Sequence, residues 1–285
     1  MALPAQNDGW DLVIGPPKGW FDLHWRDLWR YRDLIGLFVR RDFVASYKQT
    51  ILGPLWHLIQ PLLTTLMFTV VFGRIAGLPT DGVPQFVFYM AGTTIWGYFA
   101  NCLTRTSNTF IANAGIFGKV YFPRMVVPVS VVMSQLIGFA IQFAFFLCFY
   151  ALFWFRGAPI QPNWAIGLLP LLLLMMAGLG LGFGVIISSL TTKYRDLQVL
   201  VGFGVQLWMY ATPVIYPLST MPDRLRWLLV ANPMTAVVET FRYGFFGVGT
   251  FSWAYLGYSA GFTVALLLVG LAVFNRVERT FMDTV

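Results

Sequence analysis

VVPVSVVMSQLIGFAIQFAFFLCFYALFW, residues 126–154, continues for 29 positions without an Asp, Glu, Lys or Arg. A helix rises about 1.5 Å per residue, so about 20 apolar residues cross the roughly 30 Å hydrocarbon core of a bilayer. A run this long and this free of charge predicts a membrane-spanning helix. Outward from it lie five more apolar runs bounded by charges or turn residues. Two precede it, at 55–76 and 86–104, and three follow, at 165–190, 197–216 and 253–274. The expected fold class is all-α integral membrane, with six transmembrane helices.

Composition agrees. Of 285 residues, 58% are hydrophobic and 11% charged, against roughly a quarter charged in soluble domains, which excludes a soluble globule. The net charge is +7, and the charges sit between the apolar runs. With six spans both termini share one face. The segments on that face hold fourteen Lys and Arg, among them Arg40, Arg41, Lys48, Arg105, Lys119, Arg124 and Arg276. The opposite segments hold five: Arg74, Arg156, Arg224, Arg226 and Arg242. The positive-inside bias then predicts cytoplasmic termini. Residues 1–19 carry Asp8, Asp11 and three prolines where a cleavable signal would need an apolar stretch, so no signal peptide is expected.

Two segments differ from the spans. Residues 1–54 form a cytoplasmic tail, and Trp20 to Arg41 reads as an amphipathic helix with Phe21, Trp25, Leu28, Trp29 and Ile35 on one side. Asp22, Arg26, Arg30 and Asp33 lie opposite, while Arg32 intrudes on the stripe and Leu23 and Leu34 fall outside it. This predicts an interface helix with tryptophans at headgroup depth; a small soluble helical cap is the alternative. Residues 217–251, divided by Pro217, Pro222 and Pro233, read as two short re-entrant helices between spans five and six. Glu239 and Arg242 at i,i+3 would be costly in lipid unless they face protein or water. The alternative, a seventh and an eighth span, would put both charges in the bilayer. The remainder, 55–285, is the transmembrane domain.

Catalytic chemistry is missing from the sequence. The acids outside the tail are scattered, and no nucleophile–base pair or carboxylate pair stands out. Cys102 and Cys148 fall within apolar runs and His24 and His57 are far apart, so neither a disulfide nor a metal site is expected. Gly115, Gly118 and Lys119 do not make a phosphate loop, because Asn113 and Val120 occupy positions where that loop needs Gly and Ser or Thr. Gly178, Gly180, Gly182 and Gly184 predict close helix packing. The span cores hold almost no ionisable side chains, so uphill transport would draw its energy from a partner.

Four stretches in order carry a resemblance: RRDFVASYKQTILGPLW at 40–56 with Gln60-Pro61; NAGIFGKVYFPR at 113–124; Tyr194-Arg195-Asp196-Leu197; and PVIY at 213–216 followed by Asn232-Pro233 and Glu239-x-x-Arg242. Over residues 20–285 the chain resembles ABC-2-type permeases that export polysaccharides, the O-antigen, capsule and teichoic acid exporters. The resemblance implies a non-enzymatic permease subunit of the bacterial inner membrane that forms a homodimer and pairs with two cytoplasmic ATPase subunits, on which ATP and magnesium would act. No cofactor on this chain and no nucleic-acid partner are expected. The substrate it implies is a lipid-linked polysaccharide, moved outward through a channel at the dimer axis.

It also implies roles. Asn113, Ala114, Gly115, Ile116, Phe117, Gly118, Lys119 and Val120 would form a coupling helix against the ATPase, with Phe117 and Ile116 as an apolar knob. Tyr194, Arg195 and Asp196 would add a smaller contact. Pro213, Tyr216, Pro217, Pro233, Glu239 and Arg242 would belong to an outer gate, the two charges pairing with each other or with neighbours. Sugar rings pack on aromatic faces, so Phe68, Phe72, Tyr89, Trp96, Phe99, Trp208 and Tyr210 are the expected channel lining. The tryptophan-rich stripe of the amino-terminal helix, rather than the resemblance, motivates the expectation that Trp25, Leu28 and Trp29 help position the lipid anchor. An exporter of a small lipophilic compound or lipid remains the alternative within the same fold, and an integral-membrane transferase is the alternative from another class.

Overall fold

The computed structural model describes residues 25–48, 50–117, 119, 122–191 and 196–284, with side chains at all of these except 25–27, 47, 54 and 277–284. The side chain of Trp25, and residues Gly118, Val120, Tyr194 and Arg195, lie outside this description. The described residues form helices and no strand. Two short helices, α1 (Trp25–Arg30) and α2 (Arg32–Tyr47), come first. They are followed by α3 (Trp56–Phe68), which widens into a π-helical stretch at Thr69–Ile75, then α4 (Gln85–Ser107), α5 (Thr109–Phe117) and α6 (Val126–Phe155). A 3-10 turn at Trp164–Leu168 leads into α7 (Leu169–Thr191). After it come α8 (Leu197–Tyr210), α9 (Asp223–Ala231), α10 (Pro233–Phe246) and α11 (Trp253–Thr284).

Four helical stretches are long and apolar enough to cross a membrane: Trp56–Ile75, Val126–Phe155, Trp164–Thr191 and Trp253–Arg276. The other two expected spans differ for separate reasons. Helix α4 has the length, but it carries Thr93, Thr94, Asn101, Thr104, Arg105 and Thr106. Thr94 and Thr106 are buried where α3, α6, α7 and α8 pack along it, while Asn101 and Arg105 are exposed. Helix α8 stops at Tyr210 rather than 216. The chain turns at Pro213, whose ring cannot continue the helix ladder, and Pro213, Val214 and Tyr216 present their carbonyls to Arg242.

The glycine run on α7 packs as its spacing predicts, with its two alternating pairs facing different neighbours. A Cβ on Gly180 would lie 2.5 Å from Cβ of Cys102, and one on Gly184 would lie 2.5 Å from Cβ of Thr106, so this pair admits α4. A Cβ on Gly178 would meet Thr263 at 2.6 Å and one on Gly182 would meet Leu266 at 2.9 Å, so this pair admits α11. Backbone-close packing of this kind replaces the hydrophobic drive that is missing between helices in lipid.

The amino-terminal helix breaks at Tyr31 and runs on to Tyr47. Its packed face is also rotated from the expected stripe. Phe38 is buried, with Leu28, Tyr31, Leu34 and Ile35 against the cluster that holds Phe110, Phe117, Phe122 and Phe274. Trp29 points away, 73% exposed. Leu34 thus joins the packed face and Trp29 leaves it, because α2 packs on α6 rather than floating free. Phe38 and Phe274 share one cluster, so α2 and the last part of α11 meet at one end of the bundle.

The opposite end is built by residues 76–84, 156–163, α9 and α10. Backbone N–H groups of Gln161 and Asn163 donate to the carbonyls of Phe246 and Gly244, Tyr150 donates to the Phe245 carbonyl at 2.8 Å, and Ser219 donates to Asp81. Helix α10 is well delimited. Asn232 caps it by accepting from the Met234 N–H, Pro233 opens it, and Gly247 closes it with φ of 74°.

Candidate functional site

A groove of about 400 Å³ lies between α3, α4, α6 and α8. In a chain this apolar its lining is unusual: His57, Gln60, Asn101, Gln135, Gln142 and Gln206 converge on it from four helices, with Trp56 and Trp96 at its walls. Gln135 and Gln142 are seven residues apart on α6 and so share one face. Among the described residues the side chains of Gln60, Asn101, Gln142 and Gln206 make no hydrogen bond. Each amide therefore offers an unused acceptor and two unused donors. Trp56, Gln60, Asn101 and Gln206 are exposed, so the groove is open on one side.

The expected aromatic lining is distributed differently. Trp96 borders the groove and Trp208 a separate apolar cavity between α4, α7 and α8. Tyr89 and Phe99 are fully buried and face neither cavity in this conformation. Phe99, Trp96, Trp208 and Phe183 form an edge-on cluster with centroids 5.1–6.3 Å apart, joining α4, α7 and α8. Phe68 packs against Phe72 and Tyr89. Tyr210 is exposed at the end of α8, where its carbonyl accepts from the Tyr216 hydroxyl. The amides went unnoticed in the sequence; their signal was four glutamines at membrane depth in runs with almost no other strongly polar side chain.

At the α9–α10 end, Glu239 and Arg242 are each 1% exposed. Their charged atoms are 3.5 Å apart, but Arg242 is held mainly by backbone. Nη1 donates to the carbonyls of Pro213 (2.6 Å) and Tyr216 (3.2 Å), and Nη2 donates to Val214 (2.6 Å). The guanidinium carbon stands 3.9 Å from the Phe88 ring centroid, a cation–π contact. Glu239 accepts from Leu218 N–H and from the N–H and hydroxyl of Thr250. The pair thus ties the turn after α8, α10 and the approach to α11 into one unit. Pro217 precedes the Leu218–Thr220 turn that Glu239 holds, and the Pro233 carbonyl accepts from Ser259.

At the opposite end α5 shows one open face. Ala112 and Gly115 are exposed and Ile116 half-buried, at spacings of three and four residues that share a side, and Lys119, in the turn past the end of the helix, is exposed. A Cβ on Gly115 would meet nothing within 4 Å. Phe117, expected as a knob, is instead 4% exposed, packed on Phe110 and Phe122 with the Arg124 guanidinium over its ring. Asn113 is also buried, donating to the Thr109 carbonyl and accepting from Arg41, and Ala114 packs against the same cluster. The helix therefore starts at Thr109, and its free surface excludes Phe117. Asp196 is exposed at the start of α8, which is tied to the α4–α5 corner by a 2.7 Å bond from Gln198 to Asn108.

Residues 33–246, from α2 to the end of α10, match the family described as ABC-2 type transporter. The chain belongs to that family. Similar proteins include an O-antigen export system permease protein RfbA of Klebsiella pneumoniae, 29% identical over 88% of this chain and 94% of that protein. One of the same name from Myxococcus xanthus is 28% identical over 91% and 98%. A polysialic acid transport protein KpsM of Escherichia coli is 24% identical over 86% and 93%. In this ABC-2 transporter the matched region contains the groove, the caged arginine and the α5 face together.

Proposed function

We propose that the chain is the permease subunit of an ATP-driven exporter that moves a lipid-linked polysaccharide from the cytoplasmic to the outer face of the bacterial inner membrane. The observation that carries this reading is the groove. Unpaired amides beside tryptophan faces are the donors, acceptors and flat surfaces that a polyhydroxylated chain can use along its length. Relatives named for O-antigen and polysialic acid transport support the same substrate class.

In this reading α3, α4, α6, α7, α8 and α11 are six membrane crossings, with α2 and α5 on the cytoplasmic side and α9 and α10 as the outer gate. Two copies face each other across their open grooves, which closes the channel. Two separate ATPase subunits, holding ATP and magnesium, dock on the Ala112–Gly115–Ile116–Lys119 face, with the residues before α8 as a second contact. The exposed Trp29 lies at headgroup depth near the entrance, where the lipid anchor enters.

Two substitutions on one helix test the docking. Gly115→Trp fills open space on the outer face of α5, so the chain should fold and dimerise as wild type but lose its ATPase subunit on purification from native membrane. Phe117→Ala empties a packed site and should cost about 3–5 kcal/mol of stability, seen as a lower Tm, before any effect on association. Wild type that purifies without any ATPase subunit would overturn the exporter reading. A Gly115→Trp variant that retains the subunit would overturn the docking face.

A further inference from the structure

The groove has a neighbour toward the α5 end. A second cavity, of about 420 Å³, lies between α2, α4, α5 and α6, and the two cavities share Thr104, Arg105 and Gln135. Arg105 lines both cavities where they adjoin. The charged side chains lining the two cavities are Arg41, Asp42 and Arg105. Arg41 and Asp42 are 2.8 Å apart and offset each other, and Arg41 also donates to Asn113. Among the described residues Arg105 makes no hydrogen bond and no ion pair. Arg105 is exposed, so water rather than a counter-charge solvates it and its guanidinium is open to an anion.

A guanidinium stays charged at any relevant pH, and at the edge of a membrane it needs water or a counter-charge. An arginine that merely snorkels lies along the lipid-facing side of its helix, whereas Arg105 faces two interhelical cavities. Sugar hydroxyls do not require a cation there. A phosphate does, and the planar fork of Arg fits two of its oxygens at once.

We propose that Arg105 binds a phosphate group of the transported molecule where the two cavities adjoin. This inference rests on the exporter reading for its ligand, and deepens it. The phosphate is that of a lipid headgroup or one exposed to water, and the chemistry at Arg105 is the same for both.

The full chain in neutral detergent is titrated calorimetrically, at low ionic strength, with dodecyl phosphate, dodecanol and inorganic phosphate. Dodecyl phosphate should bind and dodecanol should not, and R105Q should weaken dodecyl phosphate binding about tenfold or more. Because the Arg105 side chain makes no hydrogen bond or ion pair among the described residues, R105Q should keep the wild-type Tm. R105K, which keeps the charge but loses the fork, should weaken binding severalfold and serves if the glutamine variant does not fold. Arg105-dependent binding of inorganic phosphate would indicate a phosphate in water; its failure to bind beside dodecyl phosphate would indicate a lipid headgroup. Wild-type affinity in the variants, or equal binding of dodecanol, would overturn the proposal. Arg105-dependent binding in a chain that has no ATPase partner would leave this site standing and remove the exporter reading. An ATPase-bound chain indifferent to R105Q would do the reverse.

Discussion

Arg242→Leu is expected to prevent stable folding, measured as loss of a monodisperse protein in mild detergent or as a drop in Tm larger than for any other single substitution at that end. The reason is the number of groups left behind. Three carbonyls, of Pro213, Val214 and Tyr216, would lose their donor, each at about 1–3 kcal/mol. The buried carboxylate of Glu239 would lose its counter-charge, and breaking a buried pair from one side costs about 3–5 kcal/mol. Against a typical total of about 5–15 kcal/mol, these losses remove most of the margin. Lysine at 242 keeps the charge, but one nitrogen replaces a fork whose Nη1 serves Pro213 and Tyr216 and whose Nη2 serves Val214, so R242K should fall between leucine and wild type.

Charge exchange gives a sharper result. If the ion pair alone mattered, E239R combined with R242E would restore stability. The geometry predicts no rescue, because a carboxylate at 242 would point its oxygens at three carbonyl oxygens. Gly92 belongs to the same arrangement: a Cβ there would lie 2.6 Å from the Val214 carbonyl oxygen and 3.4 Å from Nη2 of Arg242.

The second large effect is expected on α7. Gly180→Ala places a methyl 2.5 Å from Cβ of Cys102 and 3.2–3.3 Å from backbone atoms of Leu103 and Phe99. Backbone cannot rotate away as a side chain can, so α4 and α7 must separate, at about 1–3 kcal/mol for alanine. Leucine should abolish the packing. Gly261→Ala on α11 is the matched control: nothing lies within 4 Å of its Cβ, and replacing a helical glycine by alanine gains up to about 1 kcal/mol. Thermal unfolding in one detergent should therefore show the two alanine variants moving in opposite directions.

These residues also mark how far the sequence could be read. The long runs at 55–76, 126–154, 165–190 and 253–274 lie close to Trp56–Ile75, Val126–Phe155, Trp164–Thr191 and Trp253–Arg276, because length and charge exclusion are local properties of a chain. Gly180 was legible for the same reason, since small residues four apart on one helix define a close-packing face wherever the partner comes from.

What escaped was facing. A helix apolar on every side has no stripe to show which side meets protein, so Tyr89 and Phe99 could not be told from groove residues, nor Phe117 from a surface knob. The groove amides come from positions 60, 101, 135, 142 and 206, and nothing in their spacing along the chain brings four helices together. The end of α8 at Tyr210 depends on Arg242, 32 residues later, and a cage of backbone carbonyls leaves no mark on residue types.

The most direct test of the export function is where the polymer resides in cells. In a strain lacking this chain, polysaccharide still attached to lipid should accumulate on the cytoplasmic side and disappear from the surface. Wild type should restore surface polymer, while Gln60→Leu combined with Gln142→Leu should leave a stable, ATPase-bound protein and the polymer inside. Surface polymer at wild-type level in the deletion strain would contradict export by this chain, and restored export by the double leucine variant would contradict the groove as its path.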